Sequence, residues 1–166
     1  MAYHFFTVGK TSARLRRGYN IDFPVGLGAR NRRDDVLLAQ TFLRMVYLDN
    51  TNSEITELFP GLPGVDIVVD GSCGPVTHRY ISRFKDQVRA LGKELYPDAC
   101  MDPFRDNDPF SLSRIAKREY AFGILLRAAA KADEQRFDGL TEHTETHPSL
   151  KLALTQTRDD ALQYSG

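Results

Sequence analysis

The apolar positions of this chain fall into helical stripes separated by polar breaks marked with Pro and Gly. Val36, Ala39, Phe42, Leu43 and Val46 recur at helical spacing and predict a helix from about Asp34 to Leu48. Leu37, Leu38 and Met45 widen its apolar face, so burial on more than one side is expected. Asp34 and Asp35 suit the helix start, where unpaired N–H groups and the helix dipole favour negative charge. Thr51 and Glu54 have capping-box spacing and predict a further turn through Leu58, before the break Pro60-Gly61-Leu62-Pro63-Gly64. A second long helix is expected from Val76 to about Leu95, on the stripe Tyr80, Ile81, Phe84, Val88, Leu91 and Leu95. Pro75 stands at its first position and Tyr96-Pro97-Asp98 closes it.

A third helix is predicted from the cap pair Asp108-Pro109 to about Glu134. Its stripe is Leu112, Ile115, Phe122, Leu125, Leu126 and Ala129, interrupted by Glu119. Residues 135–147 read as a polar loop. Pro148 opens a short helix from Ser149 to about Gln156, although Leu150, Leu152 and Leu154 also alternate as a strand would. The last ten residues are expected to fray.

Extended segments are few. His4 to Val8 reads as a strand, Tyr19 to Val25 alternates weakly, and Val65 to Val69 reads as a short strand or an extended segment before the Asp70-Gly71 turn. The first two form either a hairpin or an arm that is ordered only against a partner. The expected architecture is mainly α: an N-terminal basic arm over 1–30, then a single helical domain over 31–160 in which 108–134 is an added helix.

Composition and charge narrow the function classes. A chain of 166 residues can bury a core without disulfides. Cys73 and Cys100 are expected to be free thiols, and no Cys/His spacing matches a zinc site. No apolar run is long enough to span a membrane. The opening residues lack a secretory signal pattern, so the expectation is a cytoplasmic protein, or one exported by a non-classical route or carried on a particle.

The net charge is zero but uneven, because residues 1–33 hold seven basic residues against Asp22 alone. Such a division binds nucleic acid, an acidic ligand, the acidic remainder of the same fold or a neighbouring copy. The last two are favoured, since nucleic-acid binders are usually basic overall. Arg14, Arg16, Arg17, Arg32 and Arg33 are the candidate interaction residues, with a protein partner or self-association as the expected use.

Catalytic signatures are missing: there is no G-x-S-x-G, no P-loop and no G-x-G-x-x-G. His143 and His147 stand four apart, but the Thr-rich surroundings and Pro148 argue against a helical metal pair. Asp98, Asp102, Asp106 and Asp108 lack the Gly and terminal Glu of a calcium loop and read as a solvated loop and helix cap. No enzyme, metal or cofactor is expected.

One pattern is more specific. Asn31-Arg32-Arg33-Asp34-Asp35-Val36 leads into a helix with Gln40 and Leu43; Val69-Asp70-Gly71-Ser72-Cys73-Gly74-Pro75-Val76-Thr77 then leads into a helix with Ile81 and Phe84. This resembles the peptidoglycan-binding-like family, with its D-V-x-x-x-Q-x-x-L, V-D-G-x-x-G-P-x-T and aliphatic-x-x-F-Q segments. The resemblance covers about 25–95. It departs at Phe84-Lys85, in the longer spacer with its inserted 51–64 segment, and in the added arm and helix.

The resemblance implies a small three-helix core, a cell-wall glycan as ligand, and no catalysis by itself. Asp70, Thr77, His78 and Tyr80 are the candidate ligand-binding residues. The functional expectation is a structural or adaptor protein that uses this fold for assembly contacts. The alternative is a peptidoglycan-binding module of a secreted or phage-like particle.

Overall fold

A computed structural model of the protein describes residues 1–8, 15–62 and 64–155; of residues 7, 8, 15 and 16 it describes the backbone alone. The fold is mainly α, with six helices and four short strands among the described residues. In chain order these are β1 (Tyr3–Val8), β2 (Leu15–Asn20), β3 (Val25–Gly26), α1 (Arg33–Tyr47), α2 (Ser53–Leu58), α3 (Pro75–Ala90), β4 (Cys100–Met101), α4 (Ala121–Ala132), α5 (Glu134–Asp138) and α6 (Pro148–Thr155).

Helix α1 is the axis of the core. Every residue from Asp35 to Tyr47 except Arg44 is buried, as its wide apolar face predicts. Helix α4 packs along it, and a run of aromatic rings joins the layers. Phe42 stacks on Phe137 at 5.7 Å, meets Phe122 at 5.9 Å, and takes the edge of Tyr19 at 6.0 Å. On the other side Phe59 stacks on Phe84 at 5.2 Å. Each such fully buried side chain contributes roughly 1.5–3 kcal/mol.

The N-terminal segment is part of this core. Strands β1 and β2 pair antiparallel, with Tyr3 opposite Asn20 and Phe5 opposite Gly18. Phe5, Tyr19 and Ile21 are buried, and the Tyr19 hydroxyl donates to the Phe137 carbonyl at 2.8 Å. The second strand therefore lies earlier than the weak alternation over Tyr19–Val25 suggests. Val25-Gly26 instead pairs with Cys100-Met101.

Three further expectations need correction. The segment 108–120 is not helical, and α4 starts only at Ala121. Asp108 accepts the Phe110 N–H, which closes a turn rather than a helix. Asp106, Asn107 and Lys117 take positive φ, and an antiparallel bridge joins Leu112 to Glu119. Ile115, placed on the predicted stripe, is 97% exposed. Helix α3 ends at Ala90 rather than Leu95, where Gly92 turns left-handed (φ 92°) and the last carbonyls are closed by Leu91 and Gly92 N–H groups.

Of the two readings of 65–69 the extended segment is the one seen, with no strand partner among the described residues; the Tyr80 hydroxyl and Arg44 satisfy the Val65 and Ile67 carbonyls. The expected polar loop contains α5, capped by Asp133, whose carboxylate accepts the Arg136 N–H at 3.0 Å.

Elsewhere the expectations agree with the fold. Pro75 stands at the first position of α3. Helix α6 replaces the alternating reading, because Leu150 and Leu154 are buried one turn apart while Leu152 is exposed. Helix α2 is present, though Asn52 rather than Thr51 caps it. The expected fraying of the last ten residues lies outside the described residues.

Candidate functional site

The motif at 69–77 is organised from below by one side chain. Gln40, on α1 and buried, faces the loop that starts α3. Its Oε1 accepts the N–H groups of Asp70 (3.1 Å) and Gly71 (2.9 Å). Its Nε2 donates to Asp70 Oδ1 (3.1 Å), the Ser72 carbonyl (3.0 Å) and Thr77 Oγ1 (3.0 Å). Asp70 Oδ1 also accepts the Ser72 N–H at 2.8 Å, and that bond holds its carboxyl below the usual range. Gly71 takes φ 79°, and a side chain there would meet Arg33 Cγ at 2.7 Å. The motif is a closed internal network.

This accounting decides what the predicted ligand residues can do. Thr77 is buried against Gln40. Tyr80 is fully buried, with its hydroxyl on the Val65 carbonyl and its ring edge-on to Tyr47 at 5.4 Å. A ligand cannot reach Tyr80 without unpacking the core, so the fold does not present it as a ligand-binding residue. Asp70 keeps an exposed edge, and it lines a small hollow of about 220 Å³ together with Thr77, Asp66, Val68, Gly74 and Val76.

His78 has a different setting. It lines an open groove of about 550 Å³ along α3, with Arg79, Ser82, Arg83 and Gln87 from the helix and Leu27, Leu62 and Ala99 from the flanking loops. The Nε2 atom of His78 is buried and has no hydrogen-bond partner among the described residues. Arg83 is tied to the Pro60 and Gly61 carbonyls. Asp70, Thr77 and Tyr80 do not line this groove, so the four predicted ligand residues do not form one site.

Comparison with models of known families, with curated proteins and with solved structures finds no match. The site must therefore be read from its own chemistry.

The basic residues divide in the same way. Arg17 docks the hairpin onto the body: it donates to Thr141 Oγ1 at 3.0 Å, pairs with Glu142 at 3.4 Å, and lies over Phe6. Arg33 donates to Ser149 Oγ at 3.0 Å. Arg14 lies outside the described residues, and the Arg16 side chain does too. Arg32 stays exposed over the Phe23 ring, joined there by Arg30. Arg30 and Phe23 were not singled out in the sequence, where nothing marks the ring as the seat of two guanidinium groups.

Lys85 was visible only as a departure from the family pattern. In the fold it is 3% exposed, bonded to Asp98 and to the Cys100 carbonyl at 2.8 Å. It ties α3 to the acidic loop. Cys73 and Cys100 are free thiols, and burial pushes the Cys73 thiol up to about 11. Among the described residues no group of three His, Cys, Asp or Glu side chains is placed to hold a metal, and no helix is long and apolar enough to cross a membrane.

Proposed function

We propose that this protein is a non-enzymatic structural or adaptor protein, in which residues 25–95 form a small peptidoglycan-binding-like core used for assembly contacts. One observation carries the reading: Gln40 occupies the polar atoms of the Asp70–Thr77 motif, so the motif serves folding rather than ligand capture. What remains open at the surface is suited to protein contact. Arg30 and Arg32 are exposed, and Ile115 stands exposed on a loop braced by Lys93–Glu119–Arg127 ion pairs and by Arg118 over Tyr96.

The test is the light-scattering mass of the purified protein at low and high salt. A defined assembly that weakens as salt rises is expected, because exposed charge pairs are screened. A monomer under all conditions would count against self-assembly.

The second reading is a cell-wall binding module. It draws support from the α3 groove, where the half-buried His78 ring forms part of the wall and the exposed Arg79 offers hydrogen bonds to a polar ligand. Co-sedimentation with purified peptidoglycan sacculi, lost in His78→Ala with Arg79→Ala, is its expected result. Failure of the wild type to sediment would remove it.

A further inference from the structure

The turn between β3 and α1 presents two arginines on one ring. Arg30 Cζ lies 4.5 Å and Arg32 Cζ 4.6 Å from the centroid of Phe23. The residue between them sets this geometry. Asn31 takes φ 51°; its Oδ1 accepts the Gly26 N–H at 2.8 Å, and its Nδ2 donates to the Gly26 carbonyl at 2.8 Å and the Ala29 carbonyl at 3.1 Å. Both guanidinium groups are thus held in place, and neither pairs with a carboxylate among the described residues. Stacking on a ring leaves a guanidinium's in-plane N–H groups open to an acceptor.

The complementary charge lies close by. Asp102 and Asp106 are exposed and have no cation within ion-pair distance among the described residues. Desolvation, and after it the neighbouring Asp98, push the Asp102 carboxyl up, against the opposing pull of Lys85. The loop is built rather than slack. Asp106 and Asn107 take consecutive left-handed conformations, and the hairpin braces them: Tyr3 donates to Asn107 Oδ1 at 3.1 Å and Asn20 to the Phe104 carbonyl at 2.9 Å.

The β3–β4 register relates the two features. Val25 faces Met101 and Gly26 faces Cys100, antiparallel. Phe23 and Asp102 therefore lie beyond the same end of this ladder, which brings the basic turn and the start of the acidic loop to one end of the β3–β4 pair. Two copies that meet by a two-fold rotation at that end set each basic feature against the acidic one of the other copy, which is the self-complementarity a symmetric dimer needs.

We infer that the chain forms a two-fold homodimer in which the Arg30–Phe23–Arg32 clasp of each copy docks on the acidic loop at Asp102 and Asp106 of the other. This rests on the assembly reading above and names its partner and its contacts.

The test is a charge-reversal pair followed by light scattering, with circular dichroism melting to show that each variant is folded. Wild type is expected as a salt-sensitive dimer. Arg30→Glu with Arg32→Glu is expected as a monomer, and so is Asp102→Lys with Asp106→Lys. Mixing the two variants is expected to restore a dimer, since each surface of one then meets its opposite on the other. If a reversed variant does not fold, Arg30→Gln with Arg32→Gln takes its place, and a weaker dimer is expected. A wild-type monomer at low salt overturns both this inference and self-assembly. A wild-type assembly that persists in both reversed variants overturns this inference alone and leaves the assembly reading standing. A wild-type mass above that of a dimer overturns the two-fold arrangement.

Discussion

The amide nitrogen of Gln40 lies 3.0 Å from the hydroxyl oxygen of Thr77, a contact that ties the middle of α1 to the first turn of α3. The same side chain accepts from the Asp70 and Gly71 N–H groups, so one residue sets the turn, the helix start and their distance from the core. Leaving such groups buried and unpaired costs about 1–3 kcal/mol each.

Replacing Gln40 with Leu should therefore destabilise the protein by roughly 2–4 kcal/mol, although the size of the side chain is kept. Chemical denaturation measures this directly. A change within experimental error would show that water replaces the network and that Gln40 is not its organiser.

Gly123 carries a prediction opposite to helix propensity. In an exposed helix interior, Gly to Ala stabilises by about 1 kcal/mol. Here a Cβ would lie 2.3 Å from the Pro109 carbonyl oxygen, because the 105–120 loop crosses α4 at this point. Gly123→Ala should lower the melting temperature, and a rise would mean that the crossing is looser than this contact.

Alkaline pH should unfold the protein. Burial raises the Tyr19 hydroxyl to about 12 and the Cys73 thiol to about 11, and pushes Tyr47 and Tyr80 up as well. In each case the fold favours the protonated form, so the unfolded chain loses its proton first. The stabilisation is complete below the ordinary values, near 9 for the thiol and 10 for the phenols, and fades as pH rises through the raised ones. Phenolate absorbance followed during alkaline titration should show these tyrosines ionising together with loss of helix. Independent, ordinary titration of every tyrosine would contradict the burial.

Cys73 should also be a slow thiol. A rise from 9.0 to about 11 lowers its thiolate fraction near neutral pH by about a hundredfold. Disulfide-reagent kinetics on a Cys100→Ser variant read Cys73 alone, and a rate matching a free cysteine would refute the shift.

Lys85 offers a test of how the acidic loop is held. Lys85→Met keeps the buried stem but leaves the Cys100 carbonyl without its donor, which should cost about 1–2 kcal/mol. Hydrogen exchange should quicken around residues 98–102 more than in α1. Uniform quickening would assign Lys85 to the core rather than to the loop.

Periodicity alone determined the elements that rest on local rules. Helix α1 follows from a dense apolar stripe, α3 starts where Gly74-Pro75 requires, and α6 follows from Leu150 and Leu154 one turn apart. The turn and the helix start within the motif were also legible, because Asp70-Gly71 and Gly74-Pro75 act through their own backbone geometry.

Tertiary structure decided what depends on neighbours distant in sequence. Residues 109–120 carry an apolar stripe, yet their carbonyl and N–H groups close turns and a bridge while Ile115 points to solvent. Tyr80 looked available because a pattern cannot tell the face of a helix that meets α1 from the face that meets water. Likewise Arg17 and Arg32 are alike in sequence, but the fold sets Glu142 beside the first and a bare aromatic ring beneath the second. The reason is physical: helix and turn propensities act over a few residues, whereas burial and charge pairing are settled by which surfaces the whole chain brings together.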